Sequence, residues 1–333
     1  MRVSDKMNFQ QVTNSLNKTR EKMAIKQEQA TTMKRINKPS DDPVAATRVL
    51  EARTNIQSAE QYIRNANQAK NFLDYSERTL EELSNVLIRL KEVALGQSNS
   101  GTSNPVARRA IAMEVEQIYD QMNAIGNRKI GDRYIFGGYV TQRSPFEQGQ
   151  YTGDSGEMEI EINRGVKLAM NVPGDIVFMG RSIEAEKAAQ EDQDYQLNQA
   201  LRGPASINQN TRPLDEPGAF GQGVDVFQAV KRLEIALRAD DTRGVQNSLD
   251  KLDTAINQVV MSRADVGSRL NALENNIESL QKGLIDNKIL ASKFEDADAF
   301  EVYSELQAAE GNLKASLSTS GRLIQPSLLD FLR

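Results

Sequence analysis

Between residues 249 and 284 one heptad register holds without a slip: Leu249, Leu252, Ile256, Val259, Arg263, Val266, Leu270, Leu273, Ile277, Leu280 and Leu284. All but Arg263 are apolar. A repeat of this kind is a helix of roughly 50 Å that must bury its seam against other helices. The flanking positions decide what it packs on. Val260, Gly267, Arg269, Gln281 and Gly283 lack the paired charges of a parallel two-stranded zipper. The seam therefore faces a bundle within the chain, with partner helices predicted at residues 44–95 and 105–127.

Those partners show the same periodicity. Ile56, Ala59, Ile63, Ala66, Phe72 and Leu73, then Leu80, Leu83, Leu87, Leu90 and Ala94, keep one stripe apolar to about Leu95. GQSNSGTSNP, residues 96–105, is a loop by composition, and Asn104–Pro105 is a cap-then-proline start signal. Ile111, Val115, Ile118, Met122 and Ile125 follow at alternating intervals of four and three. The short connection favours an antiparallel pair. Helix returns at Val224 and leads into the heptads.

Both ends of the chain carry weaker stripes. Phe9, Val12, Leu16, Met23, Ala30 and Met33 share one helical face near the N-terminus, and Ala299, Val302, Leu306, Ala309, Leu313 and Leu317 share one near the C-terminus. Gly311 lies inside the second and costs about 1 kcal/mol relative to alanine. Isolated helices of this kind do not hold in water, so both ends need partners. Periodicity leaves open whether they pair with each other or contact other copies.

The N-terminal stripe stops at INKPSDDPVAA, residues 36–46. Pro39 and Pro43 each remove a backbone donor and restrict the preceding residue. Asp42 before Pro43 is an N-cap followed by proline at the first helical position. Ser40, Asp41 and Asp42 cluster oxygens, but a calcium loop needs more ligands at regular spacing and a glycine turn. Pro39, Ser40, Asp41, Asp42 and Pro43 thus form an elbow between two helices.

The pattern changes near Gly131. EMEIEIN (157–163) and VKLAMNV (166–172) alternate with period two about Asn163–Arg164–Gly165, a hairpin with one packed and one wet face. With RYIFGGYV before it and DIVFMG after Pro173–Gly174, it predicts a β-rich domain over about 131–180. Glu157, Glu159 and Glu161 are its solvated face. Residues 181–200 form a short predicted helix, and RGPASINQNTRPLDEPGAFGQG from Arg202 an irregular linker. GAFGQG at 218–223 follows no strand and is no dinucleotide fingerprint.

The expected fold is mainly α with an inserted β-rich domain, its N- and C-terminal halves forming a long antiparallel bundle or coiled-coil rod. Terminal helices occupy 1–43 and 290–333, the rod 44–130 and 224–289, and the outer domain with its linker 131–223. Aromatics at 5% and the lack of Trp point to thin helical layers rather than a deep centre, hence an elongated molecule.

The chain has neither His nor Cys. That removes thiolate nucleophiles, imidazole bases, disulfides and the common zinc sites, so no enzyme, cofactor or metal is expected. With 46 acidic residues, 41 basic ones and a net charge of −5, there is no basic stripe for nucleic acid. No window approaches a membrane span, and MRVSDKMNFQQV lacks the apolar centre of a signal peptide. A chain without cysteine is indifferent to an oxidising exterior.

Five segments carry a resemblance: RINKPSDDPVA, QYIRNANQAKNFLDYSERTLEELSNVL, DRYIFGG, SRLNALE and LQAAEGNLKASLSTSGRLIQPSLLDFL. Over about 1–140 and 225–333 the chain resembles bacterial flagellin-type axial proteins, and within them the branch that joins hook to filament. Flagellins typically carry an alanine-rich elbow without the prolines of NKPSDDPVAA, and IFGGYVTQRSPF with its short hairpin is similar to the small outer domain of the junction branch. One departure is local: Met33 stands where the family usually has glycine before the basic residue.

The resemblance implies a subunit exported unfolded through the flagellum-specific channel without a cleavable signal, guarded by a cytoplasmic chaperone at its C-terminal region. It implies a ring of copies between hook-associated protein 1 and flagellin, outside the cell. The polymer contacts would lie on Phe9, Val12, Leu16, Met23, Val302, Leu306, Leu313 and Leu317. Two other readings stay open: a flagellin that forms the filament itself, and a cytoplasmic coiled-coil scaffold.

Overall fold

A computed structural model describes residues 2–98, 105–180 and 223–324. The helix expected at 181–200, the linker from Arg202 to residue 222 and most of the 96–105 loop lie outside the described residues. Six α-helices are described: α1 (Arg2–Thr32), α2 (Pro43–Gln97), α3 (Pro105–Gly126), α4 (Val226–Arg238), α5 (Thr242–Glu295) and α6 (Ala299–Ile324). The chain divides into two compact units, residues 62–278 and residues 1–61 with 279–333.

In the first of these units, cross-helix ion pairs fix an antiparallel register between α2 and α5. Lys70 pairs with Glu274 at 2.6 Å, Arg263 with Glu77 at 2.6 Å, and Lys91 with Asp253. Numbers rise on one helix as they fall on the other. Arg89–Glu114, and Arg128 just past the end of α3 with Glu82, set α2 against α3 in the same sense. One continuous apolar cluster lies between the helices, with Leu73, Leu80, Leu87 and Leu90 of α2 and Val115 and Met122 of α3 excluded from water. Each such side chain contributes about 1.5–3 kcal/mol through its burial.

Helix α5 carries the heptads, but its buried stripe is offset from the predicted seam. Leu252, Val259, Val266 and Leu273 are buried, as are Ser248, Ala255 and Ser262. Leu249, Ile256, Leu270 and Ile277 are only partly so. The buried centre has moved toward the small residues because the helix meets a bundle rather than one partner, and small side chains at the contact let helices approach closely. Arg263, the polar seam position, turns to Glu77 at the edge. A break at Ala239–Asp241 separates α4 from α5. Asp240 takes a positive φ of 58° there, and Arg108 of α3 pairs with its carboxylate.

Among the described residues the β-rich part holds three separate two-stranded antiparallel sheets: β1 (Lys129–Ile130) with β2 (Arg133–Tyr134), β3 (Phe146–Glu147) with β4 (Gln150–Tyr151), and β5 (Glu159–Asn163) with β6 (Val166–Ala169). The last pair is the hairpin read from EMEIEIN and VKLAMNV. The β3–β4 turn has φ of 51° at Gln148 and 81° at Gly149, the doubly left-handed geometry that suits the twist of a two-residue hairpin.

Two expectations fail in this region. Asp175–Met179, read as part of the β-rich domain, is one turn of π-helix. The adjacent side chains Val177 and Phe178 are both buried, and a strand would send them to opposite faces. The second is the absence of a deep centre. Phe136, Phe146, Phe178 and Phe227 are all excluded from water and meet in one knot. Phe146 lies 4.6 Å from Phe178, 5.1 Å from Phe227 and 5.2 Å from Tyr151 between ring centroids. With Tyr119 and Tyr151 these rings meet where hairpins, α3 and α4 converge. Asn127 secures the knot, accepting from Phe146 N at 3.0 Å and donating to Phe146 O at 2.9 Å.

Of the three glutamates, Glu159 and Glu161 lie on a solvated face as expected, whereas Glu157 is half-buried. Glu157 pairs with Arg269 at 3.3 Å, Glu159 with Lys167 at 3.1 Å, and Glu161 accepts from Gly165 N at 3.0 Å. Arg269 also donates to the carbonyl of Asn171 at 3.1 Å, tying the hairpin to α5.

Candidate assembly site

The unit formed by residues 1–61 and 279–333 contains both chain ends and the elbow. Helix α1 lies along α6, with Val12, Leu16, Met23 and Ala30 facing a seam that includes Val302, Leu306, Ala309 and Leu313. An ion pair between Lys26 and Glu305 joins the two helices. The seam is shallow. Among the described residues of α1 none is fully buried, and in α6 only Val302 is, at 5% exposure.

Large apolar side chains remain on the outer faces. Phe9, which shares the predicted stripe, is 56% exposed, and Leu317 also faces water. The sequence reading missed Phe300, 86% exposed, and Tyr303. They lie off the α6 stripe, and the i, i+3 spacing of two aromatics was the only signal available. These are large apolar groups that the pairing of α1 with α6 leaves in water.

Where α1 ends, the chain turns through the elbow. Met33 takes φ 55°, the left-handed stop normally given to glycine. Lys38 to Asp41 is a β-turn with Pro39 at its second position, closed by Asp41 N donating to Lys38 O at 3.0 Å. The Asp41 carboxylate accepts from Asn37 N and Lys38 N at 3.1 and 2.9 Å. Ser40 is exposed on the turn. Asp42 Oδ1 accepts from Ala45 N at 3.0 Å, and Pro43 is the first residue of α2. That backbone bond, opposed by partial burial and aided by Arg35, holds the Asp42 carboxyl below the usual carboxylate range.

The elbow is laced to the α5–α6 junction. Arg35 N donates to Glu295 O at 2.8 Å and Ala297 N to Met33 O at 3.0 Å, with a bridge between Lys34 and Asp296. Arg35 adds a guanidinium bond to Phe294 O at 3.0 Å. The Glu295 carboxylate receives Lys34 at 2.5 Å and Arg53 at 2.6 Å. Burial opposes its ionisation, but the two cations outweigh that effect and its pKa is lowered. Ile36, Ala45 and Ala46 close over Phe294 as a small apolar cluster. Asp298 then caps α6, accepting from Phe300 N at 2.8 Å. This second cap was missed, although an Asp just before an apolar stripe is a start signal.

Among the described residues no group of three or more acidic side chains is placed to hold a metal ion, and no helix is long and apolar enough to cross a membrane. What the arrangement can do is pack.

Residues 3–141 match the model of the bacterial flagellin N-terminal helical region. The chain is 28% identical over 279 residues to flagellar hook-associated protein 3 of Escherichia coli, covering 83% of this chain and 82% of that one. It is 25% identical over 324 residues to the protein of the same name from Salmonella typhimurium, covering 96% of each. The crystal structure of flagellar hook-associated protein 3 from Legionella pneumophila superposes with a TM-score of 0.56 at 18% identity, over 74% of this chain and 98% of that one. At that identity the superposition speaks to fold, and the fold is the same.

Proposed function

We propose that this flagellin-type axial protein is a structural subunit that joins the flagellar hook to the filament, the role of a hook-associated protein 3. The observation that carries the reading is the shallow α1–α6 seam beside exposed Phe9, Phe300 and Tyr303. Such a pair orders itself marginally alone and gains most of its burial from neighbours. Repeated copies set in a ring would sum many such contacts into a durable layer.

On the hook side the neighbour is hook-associated protein 1, and on the filament side flagellin. Phe9, Val12, Leu16, Met23, Val302, Leu306, Leu313 and Leu317 supply polymer contact, and the elbow from Pro39 to Pro43 sets the direction in which α2 leaves the terminal pair. Marginal end helices also suit export as an unfolded chain, with a cytoplasmic chaperone covering the C-terminal region before transit.

A strain lacking the protein tests this directly. Hooks should remain on the cell while flagellin escapes into the medium, and the intact chain should restore filaments. A chain without residues 2–32 should not. Filaments that stay attached in the deletion strain would exclude the junction role. The match to the flagellin N-terminal model favours a filament-forming flagellin as the second reading. Long filaments grown from seeded, concentrated protein would establish that reading instead.

A further inference from the structure

We infer that the fold of residues 62–278 closes without residues 181–222, at a neck formed by Gly180 and Gly223. A Cβ built on Gly180 would stand 2.3 Å from the Cα of Gly223, and one built on Gly223 2.2 Å from the Cα of Gly180. Adding a carbon–carbon bond of about 1.5 Å limits the separation of the two Cα atoms to about 3.8 Å, the span of one trans peptide. Forty-two residues of chain therefore leave and return through the space of a single peptide link.

Both stems of the neck are held by residues outside 181–222. Gln258 of α5 accepts from Val224 N at 3.0 Å and donates to Val177 O at 2.8 Å, so one side-chain amide holds the outgoing and the incoming strand. Two residues before Gly180 stands Phe178, and four after Gly223 stands Phe227. Their rings stack at 5.4 Å with planes 17° apart, both excluded from water. Gly180 has φ 68°, a turn-making conformation that glycine adopts without strain. These contacts hold each stem at the neck itself, which makes it an attachment point where a segment can be changed without refolding its carrier.

The test is a deletion. One full-chain variant joins Gly180 directly to Gly223, and a second replaces residues 181–222 with four Gly/Ser residues. Thermal unfolding of each is followed by circular dichroism. Closing a shorter loop costs less entropy, so a variant that folds through this neck should melt cooperatively at or above the parent's Tm. The linker variant separates a strained junction from a missing support: if only the direct fusion melts low, the inference stands. If both variants melt below the parent or lose the cooperative transition, residues 181–222 support the fold and the inference is overturned. Gln258→Ala in the intact chain should lower Tm, because it removes the hydrogen bonds that link Val177 and Val224 through one side chain. An unchanged Tm would show that Gln258 does not hold the neck.

Discussion

Met33 sets up a reversal of sign that a pair of substitutions can expose. In a helix interior alanine is more stable than glycine by about 1 kcal/mol. At φ 55° the order inverts, because any L side chain crowds the following carbonyl at a cost of roughly 1–2 kcal/mol while glycine does not. Glycine gives back about half of that through its freer unfolded backbone. The variants M33A and M33G delete nearly the same side chain, so the packing lost with a methionine that is 37% exposed cancels between them. What remains is backbone, and M33G should be the more stable by about 1 kcal/mol. Two amides report it: Ala297 N, bonded to Met33 O, and Arg35 N, bonded to Glu295 O. Their hydrogen exchange should be about five-fold slower in M33G than in M33A, since 1.36 kcal/mol is a factor of ten. Equal protection, or greater protection in M33A, would mean that the helix runs through residue 33 in solution and that the elbow begins elsewhere.

Other perturbations bear on the cap, the knot and the neck. Asp42 has a lowered folded pKa, so its stabilising contribution is full above the unfolded carboxyl value and is lost as pH falls through the folded value. Asp42→Asn keeps the cap without the titration, and the parent-minus-variant stability difference should decline only in that acid window, measured by urea unfolding at stepped pH. Phe146→Ala, which empties the hub of the aromatic knot, should cost about 3–5 kcal/mol in urea unfolding; a loss below about 1 kcal/mol would show a loose knot. Gly223→Ala drives a Cβ into the Cα of Gly180 and should lower Tm, whereas Gly267→Ala, with nothing within 4 Å inside α5, should raise stability by about 1 kcal/mol. If the two glycines respond alike, the backbones at the neck are not in contact.

Interactions that act over a few residues are legible in this sequence. The Asp42–Pro43 start of α2 rests on one carboxylate reaching three residues ahead, and the β5–β6 hairpin on alternation about a short turn. Long helices follow from period. The aromatic knot does not, because Phe136, Phe146, Phe178 and Phe227 come from four separate segments and nothing local says that they meet. The same holds for Glu295, whose partners Lys34 and Arg53 lie more than 240 positions away in sequence. Asp175–Met179 was misread because a short apolar run has no period to distinguish strand from helical turn. The α5 seam shifted for a related reason: heptad positions give the phase of a two-helix contact, and a bundle rotates it toward the small residues that several neighbours can approach.

On the proposed function, the depth of the terminal seam answers competing demands that assembly would place on it. Were Val12, Leu16, Leu306 and Leu313 fully buried within one molecule, little apolar area would remain to drive contact with a neighbour. Were α1 and α6 wholly unpaired, the entropy of ordering more than fifty residues, at about 1–2 kcal/mol each, would fall on the assembly step. A half-buried seam lies between these limits. The Lys26–Glu305 pair and the lacing of Met33 and Arg35 to Glu295 and Ala297 set the register of the two helices beforehand, while Phe9, Phe300 and Tyr303 stay outside it. On this argument, changing those three to serine should weaken assembly with little effect on the melting of the isolated chain. Changing Leu306 and Leu313 should weaken both.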